Sequence, residues 1–183
     1  MKASEIIAVL EANRETILEA LKEADRAAYR HTSCKYSVAV FADGHTEQRE
    51  YLAGDNWWYE NDPAVAEIGN FCYQYGGAFE VVPQSELVRD LIRECTPEEL
   101  EAYHRYLAAY QRAQRDLYED EDEYAPEEYD IINWFRENSP AYDRLLEYTI
   151  KEITDQAVPD GYYDALIDQA ESDLADLEKY GED

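Results

Sequence analysis

The sequence predicts an α+β fold that is mostly helical, with a small antiparallel sheet in its N-terminal half. Apolar residues recur at helical spacing over most of the 183-residue chain. In residues 35–52 the apolar residues instead alternate with others on either side of an Asp43-Gly44 turn, which is typical of a hairpin. We expect an N-terminal helix and a small α+β unit over residues 1–95, then an acidic helical region over residues 96–183. One continuous domain is the alternative.

A helix over residues 4–29 is the first predicted element. Its apolar residues follow the three- and four-residue spacing of a buried stripe, interrupted only by Arg14. The stripe consists of Ile7, Leu10, Ile17, Leu21, Ala24 and Ala28. The first 30 residues carry six acidic and five basic residues, so the helix is nearly neutral. We expect it to be a packing element of the core or, alternatively, the seam of a homodimer.

The hairpin over residues 35–52 needs further strands, because a lone hairpin is only marginally stable. We assign a third short strand to Ala78–Val82. Between the two, Asp62-Pro63 has the form of a helix start. Since Val65, Ile68 and Phe71 then follow helical spacing, we predict a helix there that ends at Gly76-Gly77.

Five further helices are predicted from their start signals and apolar stripes. Thr96-Pro97 followed by Glu99 combines a cap, a proline in the first helical position and a capping box. The other starts are marked by Ser85, by Pro126, by Ser139-Pro140 and by the turn Pro159-Asp160-Gly161. The last helix is expected to end near Tyr180.

Negative charge is concentrated in the C-terminal half. Residues 116–183 hold 23 acidic and four basic residues, which accounts for −19 of the net −27. A run of like charges usually stays solvated or binds a basic partner. We expect this half to present an ordered anionic surface to a basic protein. The candidate contact residues are Glu119, Asp120, Glu121, Asp122, Glu123, Glu127 and Glu128 in the acidic run, and Asp160, Asp164 and Asp168, followed by Glu171, on the last helix.

Such rows of carboxylates could imitate DNA. Duplex DNA carries about one charge per 1.7 Å of axis, and a helix rises about 1.5 Å per residue. Acidic side chains at every third or fourth position on adjacent helices can therefore approximate a phosphate lattice. Two alternatives stay open, a solvated acidic face and the evenly acidic surface of a protein from a salt-loving organism. The nearly neutral first helix argues against the second.

The densest aromatic cluster of the chain surrounds Trp57 and Trp58. Adjacent tryptophans can form the centre of a protein interface. Alternatively, one tryptophan packs on the hairpin and the other covers an edge of the sheet. We favour this structural role. Both residues nevertheless belong to the candidate partner-binding set.

Composition restricts the function further. Phosphates and anionic membranes would repel so acidic a chain, so we expect neither direct nucleic-acid binding nor membrane binding. Three unpaired cysteines and the lack of a signal peptide or spanning segment favour a reducing, cytoplasmic location. The histidines are scattered, and Cys34 near His31 does not by itself orient a nucleophile and a base. We predict a protein that is not an enzyme and has no catalytic residue, cofactor or metal site. An uncharacterised enzyme with a pocket near Trp57–Tyr59 is an alternative.

The acidic field over residues 116–183, its interleaved tyrosines and the lack of a catalytic motif resemble the acidic anti-defence inhibitors of phages and mobile elements. These are the DNA-mimic antirestriction proteins and the anti-CRISPR proteins. The stretch Ala53-Gly54-Asp55-Asn56-Trp57-Trp58 also looks like a small module of gut-bacterial mobile-element proteins. The resemblance implies an inhibitor of a CRISPR effector nuclease, type II in the first instance, or of another nucleic-acid-binding defence enzyme. An acidic adaptor that docks a basic protein unrelated to nucleic acid is the main alternative.

Overall fold

The structure is a computed structural model that describes residues 1–52, 61–74, 77–117 and 125–181. These ranges are mostly helical and contain one three-stranded antiparallel sheet, which confirms the predicted α+β class. The helices are α1 (Ala3–Ala12), α2 (Arg14–Arg30), α3 (Gln84–Glu94), α4 (Pro97–Leu117), α5 (Glu128–Asn138), α6 (Pro140–Ala157) and α7 (Tyr162–Tyr180). The strands are β1 (Cys34–Phe41), β2 (Thr46–Leu52) and β3 (Ala64–Cys72). No helix within these ranges is long and apolar enough to cross a membrane.

The chain divides into two compact units. The first combines Met1–Ala78 with Ile150–Asp183, and the second is Phe79–Thr149. The expected division between residues 95 and 96 instead falls inside the second unit. The physical reason is tertiary packing, because α3 shares an apolar core with α4 and α5, while α7 packs against α1 and α2. Periodicity along the chain does not report which core a helix joins.

A break at Asn13 divides the predicted N-terminal helix into α1 and α2, so the single helix over residues 4–29 was wrong at this point. The Asn13 side-chain amide donates to the Val9 carbonyl oxygen at 2.8 Å, and Asn13 itself has non-helical angles, φ −118° and ψ 16°. Asparagine offers the backbone such local hydrogen bonds in place of helical ones. The hairpin turn lies against this break, since a Cβ on Gly44 would come within 2.4 Å of the Asn13 side chain.

The sheet confirms the predicted hairpin and corrects its neighbours. Strand β1 lies in the centre and pairs antiparallel with both β2 and β3. The third strand is Ala64–Cys72, where we predicted a helix, and the predicted strand Ala78–Val82 is wrong. A short 3₁₀ turn, Gly77–Phe79, occupies the start of that second segment instead.

A bulge in β3 explains why a strand showed helical spacing. Val38 pairs with Ile68 and Tyr36 pairs with Phe71, so β3 contains one extra residue between these pairs. Gly69 lies in the extra stretch with φ +86°, a left-handed conformation that favours glycine. Ile68 and Phe71 are therefore both buried, at 3% exposure each, although they are three residues apart.

In the first unit, the predicted apolar stripe lies in the core, apart from Ile7, which is half-buried. Ile17, Leu21, Ala24 and Ala28 of α2 are all fully buried within the single chain. The remaining members of this core are Leu10, Tyr36, Val38, Val40, Ile68, Phe71, Tyr163 and Ile167. The helix pair is thus a packing element of the chain itself, and a dimer through the same stripe stays a prediction without structural support.

In the second unit, α4 and α6 begin at the predicted signals, whereas α3 begins one residue before Ser85 and α5 two residues after Pro126. The Thr96 backbone N–H donates to Glu99 Oε2 at 2.9 Å, and the Glu99 N–H donates to Thr96 Oγ1 at 3.3 Å, which is the predicted capping box. The Ala141 N–H donates to Ser139 Oγ at 3.3 Å where α6 begins. The core members are Phe79, Leu87, Leu91, Tyr103, Ile131, Phe135, Ala141 and Tyr142.

Candidate acidic binding surface

The predicted contact residues fall into three groups. Glu119–Glu123, Trp57 and Trp58 lie outside the described residues. Glu127 and Glu128 lie at the beginning of α5, whereas Asp160, Asp164 and Asp168 lie at or near the beginning of α7. The described candidates are thus placed in two separate regions, one in each compact unit.

On α7, three carboxylates meet a single arginine. Arg14 Nε is 3.0 Å from Asp164 Oδ1, Arg14 Nη2 is 2.6 Å from Asp168 Oδ1, and Arg14 Nη1 is 3.6 Å from Glu171 Oε1. The hydrogen bond to Asp168 is the main reason that the pKa of Arg14 is raised. We call Asp164, Asp168 and Glu171 the α7 row. In the sequence, Arg14 was noticeable only because it interrupts the apolar stripe of the first predicted helix.

Asp160 differs from the α7 row, because it forms no ion pair in the part of the chain that the structure describes. It is exposed in the turn before α7 and accepts a hydrogen bond from Gln156 Nε2 at 3.1 Å. Gly161 follows with φ +76°, which lets the chain reverse into α7. Asp160 therefore keeps its negative charge available to solvent or to a partner.

The beginning of α5 carries three exposed carboxylates. Glu127 is the N-cap residue, and Glu128 and Asp130 lie in the first turn. None of the three has a basic side chain within ion-pair distance among the described residues. The N-terminus of a helix has partial positive charge, which stabilises nearby carboxylates. We call Glu127, Glu128 and Asp130 the α5 start, and it is a compact anionic site without a counter-ion in the described ranges.

Several other acidic residues serve the fold and have basic partners. Asp155 forms ion pairs with Lys22 and Arg26, at 2.8 Å each, and with Lys151. The lysine hydrogen bonds hold the pKa of Asp155 well below its ordinary value. Hydrogen bonds from the Arg144 guanidinium lower the pKa of Glu99 to about 2. Carboxylates held in this way stay ionised and are already satisfied.

A second network of hydrogen-bonded charges lies on the face of the sheet opposite to the core residues Tyr36 and Val38. Arg49 bonds Asp62 through two nitrogens at 2.7 Å and bonds Glu67 at 2.9 Å. Glu67 also accepts hydrogen bonds from Ser37 Oγ at 2.5 Å and from Tyr51 Oη at 2.8 Å. The Arg49 hydrogen bonds lower the pKa of Asp62 to about 2. The hydrogen bonds from Arg49 and Tyr51 to Glu67 join the outer strands β2 and β3 across β1, and the bond from Ser37 joins β1 to β3.

Asp25 is a buried carboxyl that sequence reasoning missed. It is 2% exposed, and its two oxygens accept hydrogen bonds from Tyr73 Oη at 2.7 Å and Tyr163 Oη at 2.8 Å. The Tyr29 ring stacks on Tyr73 with the centroids 4.0 Å apart. Burial raises the pKa of Asp25 more than the two tyrosine hydrogen bonds lower it. The sequence signal for its burial was its position in α2, because Asp25 follows Leu21 of the apolar stripe by four residues.

Of the residues considered for catalysis, His31 and Cys34 are neighbours, since the Cys34 backbone N–H donates to the His31 carbonyl oxygen at 3.1 Å, whereas His45 lies between β1 and β2 and His104 lies in α4. His45 Nδ1 lies 2.5 Å from Asp43 Oδ1 in the exposed hairpin turn. Burial raises the pKa of the Cys34 thiol, which disfavours the nucleophilic thiolate. Within the described ranges, no group of His, Cys, Asp and Glu side chains could hold a metal ion. Comparisons of the chain with protein-family models, with curated proteins and with solved structures gave no match.

Proposed function

We propose that the protein is a non-catalytic inhibitor that binds a basic, nucleic-acid-binding effector nuclease, as anti-CRISPR proteins do. The observation that supports this proposal most directly is the α5 start. Its three exposed carboxylates lack a basic partner in the described chain, whereas Asp155 and Glu99 are ion-paired. Acidic residues are thus present beyond those that the fold pairs with a cation.

The electrostatics of the chain support a basic partner. A net charge of −27 on 183 residues attracts cationic surfaces over long range and speeds their encounter. Type II effector nucleases hold nucleic acid in a positively charged channel, which recognises the duplex through its backbone. A carboxylate cluster that occupies such a channel would compete with phosphate groups.

The two acidic regions differ in their suitability for this role. Arg14 neutralises one of the three charges in the α7 row and fixes two of the carboxylates in place. At the α5 start, no cation within the described ranges pairs with a carboxylate. We therefore assign the first contact with the partner to Glu127, Glu128 and Asp130, with Asp160 as a secondary contact.

The test compares two triple variants with the same change in net charge. Glu127→Gln, Glu128→Gln and Asp130→Asn neutralise the α5 start. Glu11→Gln, Glu15→Gln and Glu19→Gln neutralise three exposed acids on α1 and α2 as the matched control. Association with a guide-loaded type II effector nuclease is measured from about 0.05 to 0.5 M salt, because screening weakens exposed charges over this range. DNA cleavage by the same complex is then assayed.

We expect the α5-start variant to associate several-fold more slowly and with a flatter salt dependence, because peripheral charges act mainly on the association rate. The control variant should associate like wild type. Wild-type protein should also reduce cleavage. Equal rates for both variants, or no inhibition of cleavage by any form, would contradict the proposal. Binding without inhibition would favour the adaptor alternative.

A further inference from the structure

The last two turns of α7 carry an apolar strip that is not covered in the described chain. Leu177 is 65% exposed and Tyr180 is 70% exposed. Together with Asp173, Asp176 and Gly181 they line an open depression of about 460 Å³. We call this depression and its lining residues the α7 strip. It is distinct from the α7 row, which lies earlier in the same helix.

Helix geometry places these side chains together. Asp173, Leu177 and Tyr180 follow one another at spacings of four and three residues, so they are neighbours on one helix face. Asp176 precedes Tyr180 by four residues and lies beside the same strip. The helix ends at Gly181, whose N–H donates to the Leu177 carbonyl oxygen at 2.8 Å. A Cβ at position 181 would lie 2.5 Å from that oxygen, so the tight turn at the end of the helix favours glycine.

The charge around the apolar strip is negative from two sources. Asp173 accepts a hydrogen bond from Gln169 at 2.7 Å, and neither Asp173 nor Asp176 has an ion-pair partner in the ranges that the structure covers. The C-terminus of a helix also has partial negative charge, which favours cations in its last turn. The Tyr180 ring already accepts a cation, since Lys179 Nζ lies 4.9 Å from its centroid.

We infer that the α7 strip docks a cationic amphipathic segment of the partner protein, with apolar side chains on Leu177 and Tyr180 and Lys or Arg beside Asp173 and Asp176. All five lining residues are exposed. The site therefore cannot enclose a small ligand, which needs most of its surface buried. A second copy of this chain would bring like charges together. The inference deepens the proposed function by naming the chemistry of the partner segment, and it rests on that function only for the partner's identity.

The experiment uses two synthetic peptides of equal charge. One is amphipathic, with leucines on one helix face and lysines and arginines on the other, and the second has serines in place of the leucines. Binding is measured for wild type and for Leu177→Ser/Tyr180→Ser. Val81→Ser/Leu117→Ser is the control, because these side chains are 88% and 71% exposed elsewhere in the chain. Asp173→Asn/Asp176→Asn tests the charges separately.

We expect the amphipathic peptide to bind the Leu177→Ser/Tyr180→Ser variant at least about tenfold more weakly than wild type or the control, with unchanged circular dichroism. The Asp173→Asn/Asp176→Asn variant should bind both peptides more weakly and with less dependence on salt. Equal binding of the two peptides by wild type, or no loss in the Leu177→Ser/Tyr180→Ser variant, would overturn the inference. So would sedimentation showing a wild-type dimer that this variant loses, because a second copy would then occupy the strip.

The nuclease assay distinguishes this result from the proposed function. The peptide results could hold while neither the α5-start variant nor Asp173→Asn/Asp176→Asn differs from wild type in binding to the effector nuclease or in inhibiting it. The strip is then a docking site for another basic protein, and the proposed function fails. If the nuclease is inhibited through the α5 start but the peptides do not discriminate, the proposed function holds and the α7-strip inference fails.

Discussion

The α7 row and the α5 start resemble each other in sequence and differ in their surroundings. Both place carboxylates within one or two helical turns, and both belong to the acidic C-terminal half. On α7 the carboxylates surround Arg14, which comes from a helix 150 residues earlier in the chain. At α5 the described residues supply no such cation, and only the helix terminus favours the charges. Whether a cation compensates a carboxylate row therefore depends on its tertiary partner, and not on the spacing of its residues in the sequence.

The largest expected effect comes from disrupting the packing of α2, the helix that carries Arg14. Ile17 is fully buried in the core of the first unit, three residues after Arg14. Ile17→Asp places an unpaired charge there and removes apolar contacts, so we expect the free energy of unfolding to fall by at least about 3 kcal/mol. Thr16→Asp adds the same charge at an exposed neighbouring position and is the control.

Urea denaturation of both variants measures this effect. Unchanged unfolding of Ile17→Asp would show that the stripe does not pack as described. Sedimentation of the same samples tests the dimer alternative, because a dimer seam at Ile17 would give a wild-type dimer and a monomeric variant.

The pH dependence of stability should sharpen the comparison through Asp25, a buried carboxyl that has no ion-pair partner among the described residues. Because burial raises the pKa of Asp25, the folded state binds its proton more tightly than the unfolded state does. Its contribution to stability is complete below the ordinary pKa of about 4 and is lost as the pH rises through the raised value. In Asp25→Asn this loss should be absent. The free energy of unfolding of wild type should therefore fall relative to the variant as the pH rises.

Glu99 is the control, because its pKa is shifted in the opposite direction to that of Asp25. Arg144 lowers its pKa to about 2, so its contribution is present above the ordinary value of about 4 and is lost as the pH falls towards 2. Glu99→Gln should remove that acid-side loss and leave the behaviour of Asp25 unchanged. Parallel pH profiles for wild type and Asp25→Asn would refute the assignment of Asp25 as a carboxyl with a raised pKa.

The smallest expected effect comes from removing the arginine of the α7 row. Arg14→Gln leaves Asp164 and Asp168 without their cation, and we expect a loss of about 1 kcal/mol in the free energy of unfolding, because partly exposed ion pairs contribute little. Arg105→Gln is the control, since its pair with Glu101 is 66% and 72% exposed and should change stability by less than about 0.5 kcal/mol. Added salt should reduce the Arg14 effect, and a loss independent of salt would argue against an ion-pair origin.

Sequence reasoning succeeded where the determining interactions are local. The capping box of Thr96 and Glu99 and the Asp43-Gly44 hairpin turn depend on residues close together in the chain, and both are present as predicted. The break at Asn13 and the bulge at Gly69 were missed. The hydrogen bond from Asn13 to Val9 is local but does not interrupt the apolar periodicity, and the bulge at Gly69 depends on pairing with β1, which is distant in the chain.

The same limit applies to the candidate site. The excess of acidic residues in the C-terminal half was readable from composition, and exposed carboxylates at Glu127 and Glu128 agree with it. The neutralising role of Arg14 was not readable, because it requires α7 to return to α1 and α2. Asp25 was missed for a similar reason, since its tyrosine partners lie 48 and 138 residues away.

The order in which the two units occur along the chain has a consequence for biosynthesis. The first unit needs α7, including Tyr163 and Ile167, which the ribosome makes after all of Phe79–Thr149. The second unit is continuous and can fold as soon as it has emerged. Until α7 arrives, the apolar side chains of α2 and β1 lack part of their cover in the nascent chain. A release delay or a truncation before residue 162 should therefore expose a chaperone-binding surface in one unit while the other is already folded.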